Sequence, residues 1–406
     1  MTDGGAAPAT GPITRSSVAR VGLATAISAL CGYAVLYLAA RDLEPAGFSI
    51  FSVFWGAFGL VTGAANGLLQ EATREVRSSR HRDLSGSPST HPMRIAGLVG
   101  IVAAMVIALS SPLWSSHVFA ESRALSVVLL SIGLAGFCLH ATLLGMLAGV
   151  NRWTEYGALM VTDAGIRVAV AAATFVLGWG LAGFLWATVA GAVAWLIMLI
   201  AAPAARMAAG LLTAGNPATF LRGAAHSIAA AGASAILVMG FPVLLKATSG
   251  DLGAAGGVVI LAVTLTRAPL LVPLTAMQGN LIAHFVDQRD KRLRALLAPG
   301  VAAAGLLGPW LLRVGFGDEY RAGGPLLAWL TAAAVAIAML TLTGAATVAA
   351  AMHRAYALGW IIATVAAVAL LLLPVGLEAR TIIALLCGPL VGIAVHLGAL
   401  ARAARK

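Results

Sequence analysis

The feature that most constrains this chain is the recurrence of apolar runs about as long as a bilayer is thick. They lie at about 18–40, 47–69, 95–113, 125–150, 157–178, 180–202, 223–245, 252–279, 295–312, 325–351, 355–375 and 381–400. A helix needs ~20 apolar residues to cross the hydrocarbon core, so each run is a candidate span. Only 10% of the 406 residues are Asp, Glu, Lys or Arg, against ~25% in an ordinary globular domain, and 60% are hydrophobic. A water-facing surface cannot be built from that composition. The expected fold is therefore an all-α integral membrane protein with about twelve transmembrane helices.

The formal net charge of +11 would point a soluble protein toward nucleic acid, but here the basic residues cluster in short connections between apolar runs, and no nucleic-acid partner is expected. Such clusters set orientation, because cytoplasmic loops retain Lys and Arg. With the N-terminus inside, 18 of the 26 basic residues fall on the cytoplasmic side, 6 fall outside, and Arg167 and Arg267 lie within spans. The bias supports twelve crossings with both termini in the cytoplasm. Residues 1–17 form an Ala/Gly/Pro/Thr-rich tail, and the run after it is too long for a signal-peptide core and lacks a cleavage site, so it reads as a retained first span. Cys31, Cys138 and Cys387 lie singly in separate runs, without metal-ligand spacing or a disulfide framework.

The halves echo one another. Phe119-Ala-Glu121-Ser-Arg123-Ala precedes an apolar run ending at Asn151-Arg152, and Phe316-Gly-Asp318-Glu319-Tyr-Arg321-Ala precedes one ending at His353-Arg354. An offset of half the chain, with an even number of spans in each half, predicts parallel repeats related by an axis along the membrane normal. Residues 18–202 form the expected N-lobe, 203–222 a linker punctuated by Pro203, Gly215, Asn216 and Pro217, and 223–406 the C-lobe with a short basic tail.

Ala40-Arg41-Asp42-Leu43-Glu44-Pro45-Ala46-Gly47-Phe48-Ser49-Ile50-Phe51 resembles the turn between helices one and two in the polysaccharide-transport branch of the multidrug/oligosaccharidyl-lipid/polysaccharide (MOP) flippase superfamily, with Glu44 and Ser49 in place of its glycines. Phe316-Gly317-Asp318-Glu319-Tyr320 with Pro325-Leu326-Leu327 is similar to that family's entry into helix ten, and Gly145 to Tyr156 to its fourth-to-fifth connection. The likeness runs in matching order over nearly the whole chain. It implies a MATE-like fold of two six-helix lobes around a cavity that opens alternately to each side. It also implies a flippase that moves a polyprenyl-phosphate- or pyrophosphate-linked saccharide across the cytoplasmic membrane for cell-envelope polysaccharide synthesis. Such a protein is not an enzyme and needs no cofactor. Its expected partners are that glycan, membrane lipids and glycan-assembly enzymes, the last with the Arg-rich loop at about 70–94, and a monomer is expected.

Three charges sit well within spans: Asp163, Arg167 and Arg267. On the lenient insertion scale each costs ~2.5–3.5 kcal/mol at the bilayer centre, so each should face protein or water and find a partner. Asp163 and Arg167 stand four apart on the fifth span with the acid first, the favourable order for a pair. The pair is either a structural neutralisation or a coupling site where protonation of Asp163 frees Arg167 for a phosphate. Arg267 has no acid on its own span, and its planar fork suits phosphate. Pro269 and Pro273 beside it would free carbonyls toward a cavity. The alternatives for Arg267 are an interlobe ion pair with Asp163 or a side chain reaching for an interface. Asn66 and Gln70 on the second span and His140 on the fourth are further candidate substrate contacts, although such residues more often bond neighbouring helices together. Gln278 and Asn280 are weaker ones. No His, Cys or acid pair has zinc spacing.

Gly59-x-x-x-Gly63-x-x-x-Gly67, Gly145-x-x-x-Gly149 and Gly388-x-x-x-Gly392 predict close helix approach within a lobe. Trp114, Trp153, Trp179 and Trp310 fall near span ends, as interfacial anchors do. Two rival functions share parts of this plan. A proton-coupled multidrug antiporter of the related branch typically carries an acid in its first helix, and 18–40 has none. A membrane-embedded glycosyltransferase or ligase needs larger external loops than the dozen or fewer residues present here.

Overall fold

The computed structural model describes the backbone of residues 15–80, 88–119, 121–285, 291–350 and 352–403, and side chains within them except at 15–18, 271–300, 349 and 353. The tail 1–14, the loop 81–87 and the side chains of Gln278 and Asn280 lie outside the described residues. In chain order the helices are α1 (15–43), α2 (45–79), α3 (Pro92–Val118), α4 (Arg123–Gly149), α5 (Trp153–Leu177) and α6 (Gly180–Ala201). A short α7 (Pro203–Ala209) follows, then α8 (Pro217–Val238), a short α9 (Phe241–Ala247), α10 (Gly253–Phe285), α11 (Lys291–Phe316), α12 (Gly324–Ala349), α13 (His353–Leu371) and α14 (Leu377–Ala403). Setting the short α7 and α9 aside, each predicted run has its helix.

Among the described residues, ten helical stretches are long and apolar enough to cross a membrane unaided. The first of these holds two predicted runs, α1 and α2, because the helix is broken only at Glu44; the apolar part of α11, Val301–Phe316, is shorter. The bundle is greasy outside as well as inside. Leu98, Ile101, Met105, Leu109 and Leu113 form one exposed face of α3, the last two each 81% exposed. That is the lipid-facing stripe of a multi-pass membrane protein, and Trp179 and Trp310 stand exposed near helix ends.

The two turns singled out by sequence meet each other. Gly317 ends α11 at φ 107°, a conformation open to glycine, and the chain folds back so that the amide of Tyr320 donates to the Gly317 carbonyl. The Tyr320 ring is buried, edge-on to Phe48 of α2 with centroids 6.1 Å apart, and its hydroxyl donates to the Ala40 carbonyl of α1 at 2.9 Å. The first turn lies in the first half of the chain and the second in the second half, so together they join the lobes at one end of the bundle. Gly257 of α10 adds to the joint, since any side chain there would strike the Pro45 carbonyl. The halves also match locally: Phe119–Ser122 connects α3 to α4 and Gly317–Gly323 connects α11 to α12, the same step in each lobe.

Glycine spacing is used in two ways. Gly145 and Gly149 of α4 receive Ala72 and Val76 of α2, and Gly388 and Gly392 of α14 receive Ala363 and Ala367 of α13, contacts within one lobe as expected. The α2 series is different, and the expectation needs correcting. Gly59 faces Met239, Gly63 faces Ala235, and Gly67 lies against the α8 backbone at Ser227 and Ile228, so this series joins the two lobes. Small-residue spacing specifies how near a backbone can come and says nothing about which helix comes. At the Arg-rich end, β1 (Ser89–Thr90) pairs antiparallel with β2 (Thr213–Ala214), attaching the interlobe linker to the loop after α2.

Glu44 occupies φ 54°, ψ 172°, immediately before Pro45. Away from glycine this region costs on the order of 1–3 kcal/mol, and it is the position where the resembled turn has glycine. Glu44→Gly should therefore stabilise the protein by about 1 kcal/mol after allowing for glycine's extra freedom in the unfolded chain. Thermal unfolding in detergent should show a higher midpoint; an unchanged or lower one would mean that the backbone carries no strain there.

Candidate functional site

Two polar centres stand out in an otherwise apolar interior. The first lies in the N-lobe, where helical spacing sets Asp163 and Arg167 on one face of α5. Arg167 Nη2 donates to Asp163 Oδ1 at 3.0 Å and Nε to the same oxygen at 3.3 Å, with both side chains about one-sixth exposed. The guanidinium also lies 5.4 Å from the centroid of the Phe58 ring of α2, a cation–π contact. α6 makes room for the pair. Its helix tightens into a 3₁₀ turn at Gly191–Val193, and a side chain at Gly191 would collide with Asp163 Oδ1 and lie 2.6 Å from Arg167 Nε.

His140 of α4 completes this centre. It is 3% exposed, its ring stacks on Phe137 with centroids 5.3 Å apart, and among the described residues its Nδ1 has no hydrogen-bond partner. The ion pair and the buried imidazole are the polar groups of this part of the N-lobe.

The second centre is Arg267, midway along α10 and 7% exposed. Its Nη1 donates to the carbonyl of Val238, the last residue of α8, at 3.0 Å, and its guanidinium lies 5.4 Å from the centroid of the Phe241 ring in α9. α10, which carries it, packs against the α1–α2 pair, so the group stands near the boundary where the N-lobe meets the C-lobe. Nη2 has no partner. The anticipated alternative of an interlobe pair with Asp163 is not formed, because Asp163 is held by Arg167. α10 stays helical through Pro269 and Pro273, and the carbonyl that Arg267 finds is the one left free at the end of α8.

The remaining sequence candidates stand apart. Asn66 is half-buried and Gln70 exposed on α2, and among the described residues neither bonds to either centre. No group of His, Cys, Asp and Glu among the described residues could hold a metal ion. A groove of about 460 Å³ between α10, α12 and α14, bordered by Val259, Leu326, Trp329, Leu377 and Glu378, touches neither centre.

Two buried polar groups escape the sequence reading. His396 of α14 is fully buried, with Nδ1 3.1 Å from Thr343 Oγ1 and Nε2 3.3 Å from the Tyr356 carbonyl, tying α12, α13 and α14 together. Glu71 of α2 is 1% exposed and paired with Arg74 at 2.6 Å. A signal for both is present: each stands four residues beyond a glycine series, Gly388-Gly392-His396 and Gly59-Gly63-Gly67-Glu71, on the face already committed to close packing.

No family model matches the chain. It is 73% identical to the uncharacterized protein Rv3630 of Mycobacterium tuberculosis (strain ATCC 25618 / H37Rv), over 97% of this chain and 94% of that one. It is 71% identical to the uncharacterized protein Rv1510 of the same strain, over 99% and 96%. The chain belongs to the family of these mycobacterial proteins. Among solved structures it is similar to an inward-facing multidrug resistance MATE family transporter of the MOP superfamily, with a TM-score of 0.66 and 16% identity over 96% of this chain and 99% of that one. It is also similar to a MOP superfamily transporter from Pyrococcus furiosus, described by the reverse polarity of its binding pocket, with a TM-score of 0.62 and 16% identity over 95% of each chain. At such identities the likeness establishes the fold, a two-lobed MATE-like bundle.

The seating of the N-lobe pair under Gly191 yields a contrast between two glycines. Gly191→Ala drives a methyl into the Asp163–Arg167 pair and should destabilise by roughly 1–3 kcal/mol, as overpacking does. Gly165→Ala on α5 meets open space and should be neutral or stabilising by up to about 1 kcal/mol. Thermal midpoints of the two variants check this; equal midpoints would show that α6 does not press on the pair.

Proposed function

We propose that this chain, a member of that mycobacterial family with a MOP-type fold, is a transporter that carries an anionic, polyprenyl-linked saccharide between membrane leaflets by rocking its two lobes. The observation that carries the reading is Arg267. A guanidinium in the interior is costly, and among the described residues it has one carbonyl, one ring face, an unpartnered nitrogen and no carboxylate. Its position where α1, α8, α9 and α10 converge suits a phosphate that arrives as the lobes part. Arginine's fork would then exchange the Val238 carbonyl for two phosphate oxygens, a stronger charge-assisted contact.

Arg167 would serve as a second phosphate contact once Asp163 is protonated, with His140 as a further polar contact in the same lobe. Asn66 and Gln70 would contact sugar only in a state where α2 separates from α8. The orientation proposed is that of the basic-residue bias, with both ends of the chain in the cytoplasm of a cell whose cytoplasmic membrane holds the protein. The Arg-rich loop would there meet anionic lipid or glycan-assembly enzymes.

A proton-coupled drug exporter is the second reading, favoured by the buried carboxylate of Asp163 paired with Arg167. Binding separates the two. In nanodiscs, a polyprenyl pyrophosphate-linked sugar should bind the parent protein, at least about tenfold more weakly to Arg267→Ala, and with intermediate strength to Arg267→Lys, which keeps charge but not the fork. Equal binding to parent and Arg267→Ala would refute the phosphate contact, and displacement by a lipophilic cation would favour the exporter. Asp163→Asn should abolish the pH dependence of transport in proteoliposomes; a profile identical to the parent would exclude Asp163 as the coupling group.

A further inference from the structure

The α2–α8 seam ends, on the Arg-rich side, in a carboxylate rather than a glycine. Glu71 is one turn past Gly67 on the same face, and its side chain is 1% exposed because it lies across the lobe boundary on Gly223 of α8, where any side chain would collide with the carboxylate. The groups that face it can be named. From α2, Arg74 Nη2 donates to Glu71 Oε1 at 2.6 Å and to Glu75 Oε1 at 3.1 Å. From α8, His226 is the titratable neighbour, an exposed residue with Nδ1 2.7 Å from the Arg222 carbonyl, and Arg222 itself turns back along its own helix to the Ala218 carbonyl. α4, on the other flank of α2, has no charged residue in its last turns, 141–149. Arg74 is 63% exposed, so the pairing is lopsided: the cation is in water and the anion is not.

This makes the seam sensitive to protons. Shut, it removes the carboxylate from water, which favours the protonated form; parted, it returns the carboxylate to water and to its ordinary range. Glu71 lies beyond the apolar run 47–69, and burial pushes its carboxyl above that range while the Arg74 guanidinium pulls it back.

We propose that Glu71 is a proton-binding site whose occupancy holds the Arg-rich end of the α2–α8 seam shut, so that losing the proton biases the lobes to part there. The site rests on the two-lobe rocking reading but needs no particular cargo. It is separate from the Asp163 centre, which lies inside the N-lobe, whereas Glu71 acts between lobes. The sign follows from linkage. Since the shut state binds the proton more tightly, the ratio of parted to shut rises with pH, between the ordinary carboxyl value of ~4.3 and the raised value of the shut state, by about tenfold per unit of difference.

The test reads the seam directly, without substrate. Cys31, Cys138 and Cys387 are replaced, and Ser227→Cys places a thiol of nearly unchanged size where α8 lies against Gly67. Labelling by a membrane-impermeant maleimide from the Arg-rich side is then followed from pH ~5 to ~8, corrected for thiolate fraction with a loop cysteine. The parent should label several-fold more at the high end. Glu71→Gln, a permanent mimic of the protonated acid, should stay low throughout. Arg74→Gln, which removes the charge that stabilises the buried anion, should enlarge the rise, and His226→Gln should preserve it. A flat parent profile, a rise that survives in Glu71→Gln, or a rise lost only in His226→Gln overturns the assignment. If Glu71→Gln does not fold, an unenlarged rise in Arg74→Gln overturns it instead. Failure here with intact glycan binding leaves the proposed function standing, and the reverse result removes the cargo but not the latch.

Discussion

Water does not reach the middle of a bilayer, so every polar group there must be met by protein. This constraint orders the whole molecule. Most of the chain meets it by being helical and apolar, and threonines meet it by bonding back to their own helices, as Thr62 does to the Phe58 carbonyl and Thr142 to the Cys138 carbonyl. What remains is a short set of groups that bonds to their own helix backbone do not satisfy. Asp163 and Arg167 satisfy each other, His396 is shared among three helices, and Arg267 borrows a carbonyl from the broken end of α8. Function is proposed at the places where the borrowing is incomplete.

The proposed activity follows from where these groups sit relative to the lobe boundary. Arg267 and Glu71 belong to opposite lobes and lie on two of the seams through which the lobes touch, α10 against the α1–α2 pair and α2 against α8. Rocking would change the surroundings of both, whereas the Asp163 centre keeps its neighbours as long as the N-lobe moves as a body. A cargo bound between lobes and a proton bound within one are therefore mechanically distinct, and coupling them requires α5 or α6 to sense the position of α2, to which Arg167 is already joined through Phe58.

Much of this is legible in the sequence, for a physical reason. Span length and charge bias are imposed by the bilayer on each helix separately, so a single chain displays them without knowledge of neighbours. The Asp163–Arg167 pair is legible because helical spacing alone creates it. The partner of the α2 glycines is not, since spacing fixes a distance of approach and leaves the approaching helix unnamed. Nor is the meeting of the Glu44–Pro45 turn with Tyr320, 280 residues apart at the Ala40 hydrogen bond, because nothing local announces a contact between two loops. Glu71 and His396 are easily passed over for being near helix ends, yet the chain itself displays their register with the preceding glycines. A polar residue that continues a small-residue face is committed to an interface by its spacing alone.

The pairing of β1 with β2 has a mechanical meaning. Fully extended, the fourteen or so residues from 203 to 216 could reach ~45 Å, ample slack for two bodies to drift apart. Instead Ala214 is anchored to Ser79 at the end of α2 and Gly215 to Pro88 and Thr90, which shortens the free tether to the few atoms around Asn216 and Pro217. A leash that short forbids translation and permits only a swing about a fixed pivot, with the widest displacement at the far rim of the C-lobe.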